Sequence, residues 1–286
     1  MTGRITTTGA GVRRMPAPLR PRFSMTVFTL LVLGGLAMAQ GAENDTFGKT
    51  TSSEAALIGV LYDLKQTQDK KPTSVDAASY CTVVDEFLSK NWDESVLNRY
   101  YRVANPLYTT QIFIPHIAAN AAPKAFGAEK TVKPSLWIIH YKGQVSPPSP
   151  GSYRFWGCAD DMLAVAVNGK TVLVGNRHDL RLPNVKWKAS EPDGAQAAND
   201  NLRPGDWMDL KADEVIDLDA IIGERPGGYF NAFLLIEKKG EIYEKDQKGY
   251  PIFPIFQVAA FDTPALNNLA AEPSFSKGFP PWKSYQ

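Results

Sequence analysis

Residues 151–174 read GSYRFWGCADDMLAVAVNGKTVLV, and the fold class turns on this stretch. Met162–Val167 (MLAVAV) and Thr171–Val174 (TVLV) are short β-branched runs separated by Asn168-Gly169. An Asn-Gly pair between two such runs marks a tight hairpin, because a type I′ turn needs positive φ at both central residues. Upstream, Gly151–Trp156 (GSYRFW) is a further strand, entered through the turn-rich Ser146-Pro147-Pro148-Ser149-Pro150-Gly151. Working outward, Ser135–Tyr141, Leu107–Pro115 and Ala55–Leu64 read as strands on the N-terminal side. Glu214–Leu218 and Tyr229–Ile236, with the turn Arg225-Pro226-Gly227-Gly228 between them, and Tyr250–Ala259 read as strands on the other. Many short strands with regular turns predict a mainly β chain folded as an antiparallel sandwich or barrel.

One segment has a different period. Tyr80, Val83, Val84, Phe87 and Leu88 recur at i, i+3, i+4, i+7 and i+8, the pattern of one helix face. Thr73 and Asp76 are spaced as a capping box, and Asn91 is an end signal. The spacing predicts an amphipathic helix over about 74–90, inserted to cover a sheet face. Lys65–Thr73 reads as a charged loop and Ala189–Asp206 as a long exposed one.

The termini set the compartment. Residues 1–39 carry five arginines and no acidic residue, and Met25–Ala39 is an uncharged apolar run ending in Ala37-Met38-Ala39. This is the layout of a secretory signal peptide cleaved before Gln40. The competing reading, an uncleaved anchor, falls short of the ~20 apolar residues that span a bilayer. After cleavage no span is expected, so the body is expected to be periplasmic, on the cell surface or secreted. A polar linker (40–54) leads to the domain (55–263), and the Pro-rich tail (264–286) is expected to run over the surface.

The 286-residue chain has 31 basic and 30 acidic residues; without the leader, 26 basic face 30 acidic, a net charge of −4. A mildly acidic body excludes a nucleic-acid partner, which would need clustered cations. With 44% hydrophobic and 21% charged residues the chain can bury an ordinary core. Cys81 and Cys158 permit one disulfide, and two unpaired thiols fit equally well.

The block Trp137-Ile138-Ile139-His140-Tyr141-Lys142-Gly143, then Gly151-Ser152-Tyr153-Arg154-Phe155, Asp160-Asp161 and Val167-Asn168-Gly169-Lys170 resembles the centre of a PA14 domain. Gly59–Leu64 resembles the family's opening, and Gly227-Gly228-Tyr229-Phe230-Asn231-Ala232-Phe233 its closing strand. The resemblance covers about residues 55–260, with the helix and the 189–206 loop as insertions. It implies a β-sandwich, extracellular placement and, as in several members, carbohydrate binding. In the adhesin and lectin branch, two adjacent aspartates joined by a cis peptide turn both carboxylates to one Ca²⁺ shared with sugar hydroxyls. Asp160 and Asp161 are therefore the expected metal and ligand residues. Calcium takes roughly 6–8 oxygens, to which a vicinal diol can contribute. Trp156, near the pair, and Asn176 and Arg177, just past the hairpin, are the further candidate ligand contacts.

Motifs for catalysis are missing. The three histidines, His116, His140 and His178, form no His-Glu-x-x-His pair, and neither a Gly-x-Ser-x-Gly elbow nor a phosphate-binding loop occurs. The expectation is a non-enzymatic module that binds carbohydrate, calcium-dependent through the Asp pair, with glycans and other envelope proteins as partners. The alternative is a structural or interaction module of an extracytoplasmic assembly with no sugar ligand.

Overall fold

Alternation of side chains along each strand builds two sheets around a shared apolar layer. The computed structural model describes Gly3 and residues 46–260, 273–276 and 278–285. The expected leader, apart from Gly3, and its cleavage site lie outside the described residues. The strands are β1 (Leu57–Thr67), β2 (Tyr100–Arg102), β3 (Leu107–Thr109), β4 (Phe113–Ala118), β5 (Trp137–Ser146), β6 (Gly151–Asp160), β7 (Met162–Val167) and β8 (Lys170–Val174). They continue as β9 (Gln196–Ala197), β10 (Asp200–Asn201), β11 (Arg203–Pro204), β12 (Met208–Leu210), β13 (Ile216–Glu224), β14 (Tyr229–Lys238) and β15 (Lys283–Tyr285). Among the described residues two α-helices, α1 (Tyr80–Ser89) and α2 (Ala121–Ala125), interrupt them.

The first sheet runs β2-β1-β5-β13-β7-β8, with β3 also on β1 and β15 also on β5. The second runs β11-β6-β14-β4, with β12 on β6. The pairings between these strands are antiparallel, as expected. Trp137, Ile139, Leu163, Val165 and Ile222 from the first sheet meet Tyr153, Phe155, Phe230, Leu234 and Ile236 from the second. Asn168 and Gly169 both have positive φ, 51° and 74°, closing the β7–β8 hairpin as their sequence requires.

The unbroken apolar run of β7 has a cause in packing. Leu163, Val165 and Val167 point into the sandwich, whereas Met162, Ala164 and Ala166 lie in a second core with Tyr80, Val83, Val84, Phe87 and Leu88 of α1. The helix therefore does cover a sheet face. Each large apolar side chain it buries contributes roughly 1.5–3 kcal/mol before conformational entropy is counted.

Several elements differ from the sequence reading. Helix α1 starts at Tyr80, because the Asp76 carboxylate accepts hydrogen bonds from the N–H groups of Ala78 (3.0 Å) and Ser79 (2.8 Å) and forms a turn instead of a capping box with Thr73. Asn91, with φ at 56°, lies just past its end, as expected. Strand β1 runs on to Thr67, into the segment read as a loop. Tyr250–Ala259 makes only isolated bridges; Pro251 and Pro254 supply no N–H for a ladder, while Phe253 and Ile255 bury against the outer face of the second sheet. The 189–206 segment holds the β9–β10 hairpin and β11, and buries Ala197 and Leu202. The described end of the tail is not superficial: Trp282 is 1% exposed within the sandwich core and β15 pairs with β5.

No disulfide joins Cys81 and Cys158. Among the described residues no helix is long and apolar enough to cross a membrane.

Candidate functional site

Strand length delivers the site. Strand β6 of the second sheet extends to Asp160, and after Asp161 the chain enters β7 of the first. Strand β13 of the first sheet extends to Glu224 before Arg225–Gly228 carries the chain into β14 of the second. These two crossings meet the segment leaving β8. The Asp161 N–H donates to the Gly223 carbonyl (3.3 Å), and the Asp161 carbonyl accepts the Arg177 N–H (2.8 Å). The Asp160–Asp161 peptide bond is cis.

Charge is concentrated at this corner. Arg177 Nη1 lies 3.1 Å from Asp160 Oδ1 and 3.5 Å from Asp161 Oδ1, so one guanidinium nitrogen bridges both carboxylates. Arg177 Nε reaches Asp179 Oδ1 at 3.0 Å, while Arg225 Nη2 reaches Asp179 Oδ2 at 2.6 Å. The Arg225 backbone N–H donates to Asp161 Oδ2 at 2.8 Å.

Burial separates the behaviour of these acids. Asp161 is pushed up to about 6 by desolvation, with the Asp160 charge adding to the rise and the Arg225 N–H and guanidiniums opposing it. For Asp179 desolvation also raises the pKa, but the Arg225 hydrogen bond and the two guanidiniums outweigh it and hold the carboxyl below its ordinary value. Glu224, 0% exposed, is pushed up to about 9 by burial first and the Asp161 charge second. It is therefore neutral at pH 7. Its Oε1 accepts the Gly228 N–H at 3.3 Å, and its Oε2 has no hydrogen-bond partner among the described residues. Tyr80, the first residue of α1, is fully buried beside this cluster; burial and then the Asp161 and Glu224 charges raise its pKa.

Outward from the pair, Asn231 opposes Asp160 in the β14–β6 register, and its buried Nδ2 has no partner among the described residues. Two residues before it, Tyr229 is 59% exposed and its ring stacks on His116 at 4.8 Å.

The ion implied by the family resemblance can be tested against these contacts. Calcium needs several oxygens converging on one point. Here the two carboxylates converge on a guanidinium, and no group of three or more His, Cys, Asp or Glu among the described residues is placed to hold a metal. As placed here, the Asp160 and Asp161 carboxylates share the Arg177 guanidinium.

Of the residues singled out from sequence, Asp160, Asp161 and Arg177 come together. Asn176 adjoins them, but its Nδ2 is engaged with the carbonyls of Arg177 (2.9 Å) and Leu180 (3.0 Å). Trp156 stands apart: it is buried, stacks on Phe253 at 5.1 Å and donates through Nε1 to Glu237 Oε2 (2.7 Å). Sequence reasoning passed over Glu224, Arg225 and Tyr80. The first two sat in or beside a recognised turn and the third in a recognised apolar face, so nothing in their local pattern marked a shared site.

No family model and no curated protein matches the chain. Among solved structures it is similar to the PA14 sugar-binding domain from RTX adhesin, at 15% identity over 78% of this chain and 100% of that one, with a TM-score of 0.43. It is also similar to the PA14 domain of the MpAFP antifreeze protein, at 14% identity over 80% of this chain and 96% of that one (TM-score 0.39). A third is the epithelial adhesin 6 A domain from Candida glabrata, solved in complex with Galb1-3GlcNAc. It is 12% identical over 74% of this chain and 95% of that one, with a TM-score of 0.37. The architecture itself is an antiparallel β-sandwich, as the strand pattern of the sequence leads one to expect.

Proposed function

We propose that this chain is a non-catalytic carbohydrate-binding module working outside the cytoplasm, with Asp160, Asp161 and Arg177 as its sugar-recognising centre. The observation that carries the reading is the shared guanidinium. Arg177, with 40% of its side chain exposed, bridges two carboxylates at a sheet corner. Carboxylate oxygens accept and guanidinium N–H groups donate, so the corner offers vicinal hydroxyls both kinds of partner in one place. The exposed Tyr229 ring, close in the β14 register, adds an apolar surface for a sugar's C–H face. Extracytoplasmic placement and contact with other envelope proteins rest on the leader expected over residues 1–39.

Calcium enters this proposal as a rival of Arg177 for the same two carboxylates. A glycan array with the wild type, Asp161→Asn and Arg177→Ala, each in Ca²⁺ and in EGTA, tests both points. Glycan binding by the wild type that Asp161→Asn abolishes supports the centre. Binding that survives EGTA assigns the cation role to Arg177, and binding lost in EGTA assigns it to calcium. An empty array, or binding indifferent to Asp161→Asn, overturns the centre.

One observation favours the alternative, a structural module. Both Asp161 oxygens have partners inside the protein, Oδ2 the Arg225 N–H and Oδ1 the Arg177 guanidinium. On that reading Asp161→Asn lowers the melting temperature and no glycan signal exists to lose.

A further inference from the structure

Beside the Asp corner runs an open groove of about 460 Å³, whose lining includes Asn176, Leu180, Arg181, Trp187, Lys188 and Arg203. Its outer wall is the segment after Asp179, and this wall is anchored to the body. The buried Asp85 carboxylate of α1 accepts hydrogen bonds from the Asn184 N–H (3.0 Å), Asn184 Nδ2 (2.6 Å) and the Val185 N–H (3.2 Å). Leu180 is buried in the core beneath α1, and Trp187 Nε1 donates to Asp206 Oδ1 at 3.1 Å. A wall tied at these points keeps its shape when a ligand arrives, which lowers the ordering cost of binding.

The lining is cationic. Arg181, Lys188 and Arg203 contribute three positive charges, and no Asp or Glu among the described residues belongs to the lining. Arg203 is oriented by hydrogen bonds from Nη1 to the carbonyls of Val174 (3.2 Å) and Asn176 (3.4 Å), with Asp193 Oδ1 at 3.4 Å from its Nε. Arg181 and Lys188 are exposed, and neither pairs with a carboxylate among the described residues. This concentration is local, since the chain beyond residue 39 carries a net charge of −4. Trp187, half-buried, sits in the same wall.

We infer that the groove takes an acidic glycan, a sugar chain bearing carboxylates or sulfates. Its anionic groups meet Arg181, Lys188 and Arg203, and a ring contacts Trp187. The inference rests on the carbohydrate reading and names its ligand class. Continuity with the Asp corner supports it, because Asn176 lines the groove while its Nδ2 donates to the Arg177 carbonyl (2.9 Å). A glycan lying in the groove therefore ends next to the proposed hydroxyl-recognising centre.

The test is titration calorimetry of the full chain against polygalacturonate, dextran sulfate, neutral dextran and poly-glutamate, at low and at physiological salt. The expected result is that one acidic polysaccharide binds roughly tenfold or more tighter than dextran and poly-glutamate. That binding should weaken as salt rises and fall at least about tenfold in Arg181→Ser/Lys188→Ser with an unchanged melting temperature. Polygalacturonate against dextran sulfate separates carboxylate from sulfate recognition. The inference is overturned if acidic polysaccharides bind no better than dextran, if poly-glutamate binds equally well, or if the double variant matches the wild type. Its failure is distinguishable from failure of the Asp centre. Neutral glycan binding lost only in Asp161→Asn overturns the groove, whereas acidic binding lost only in the groove variant upholds it and removes the Asp pair from the site.

Discussion

Replacing Glu224 by glutamine isolates the electrostatics of the Asp corner. In the fold this carboxyl titrates near 9; in the unfolded chain it returns to 4.5. Between those values the native state holds a proton that the unfolded chain has released, so stability falls as pH rises. The contribution is fully present below pH 4.5 and is lost by the time pH has risen through 9. The slope is about 1.4 kcal/mol per pH unit, which over pH 5 to 8 amounts to about 4 kcal/mol from this one group. Asp161 adds the same sign in a lower window, from 3.8 to about 6, and is retained in the variant. Glutamine keeps the shape of the protonated acid and an oxygen for the Gly228 N–H, but it does not titrate. Urea unfolding of the wild type and Glu224→Gln at pH 5, 6, 7 and 8 should give curves that diverge by about 4 kcal/mol across the range. The variant should show the flatter profile and gain most at pH 8. The glutamine amide occupies a site with no partner for Oε2 among the described residues, so the variant carries a constant penalty of about 1–3 kcal/mol that leaves the difference in slope untouched. Parallel profiles would refute the reasoning, because they would mean that Glu224 is ionised in the native state at neutral pH.

Two further outcomes concern packing. At Gly223 an added Cβ would lie 2.1 Å from Tyr80 Oη and 2.8 Å from the Trp137 carbonyl oxygen, so Gly223→Ala should cost about 1–3 kcal/mol in urea unfolding. Adding Tyr80→Phe should recover part of that loss; a double variant no better than the single would place the strain elsewhere. Trp282 packs edge-on to Tyr153 and Phe256, at 5.3 and 5.5 Å, and Trp282→Ala should lower stability by about 3–5 kcal/mol. A change below 1 kcal/mol would return the end of the chain to the surface.

How much was legible follows the range of each interaction. The Asn168-Gly169 hairpin, the strand beginning at Gly151 and the buried face of α1 are set within a few residues, and the sequence showed all three. Proline spoiled one such reading: Tyr250–Ala259 is apolar enough for a strand, yet Pro251 and Pro254 withhold the donors a ladder needs. The early start expected for α1 failed for a similarly local reason, since Asp76 satisfies Ala78 and Ser79 in a turn.

By itself the sequence determined the mainly β class, the strand order along the chain, the helix that covers one face and the Asp160-Asp161 pair as a place to look. These depend on side-chain period and turn chemistry, which act between neighbours. Only the tertiary structure decided what surrounds the pair. Arg177 reaches it from beyond β8, Glu224 from the end of β13, Arg225 from the turn that follows, and Tyr80 from α1. The tertiary structure also buried Trp282, in a tail expected to run over the surface. Charge pairing and desolvation act through space between segments far apart in the chain, so the protonation of Glu224 and the bridging role of Arg177 exist only once the two sheets have closed.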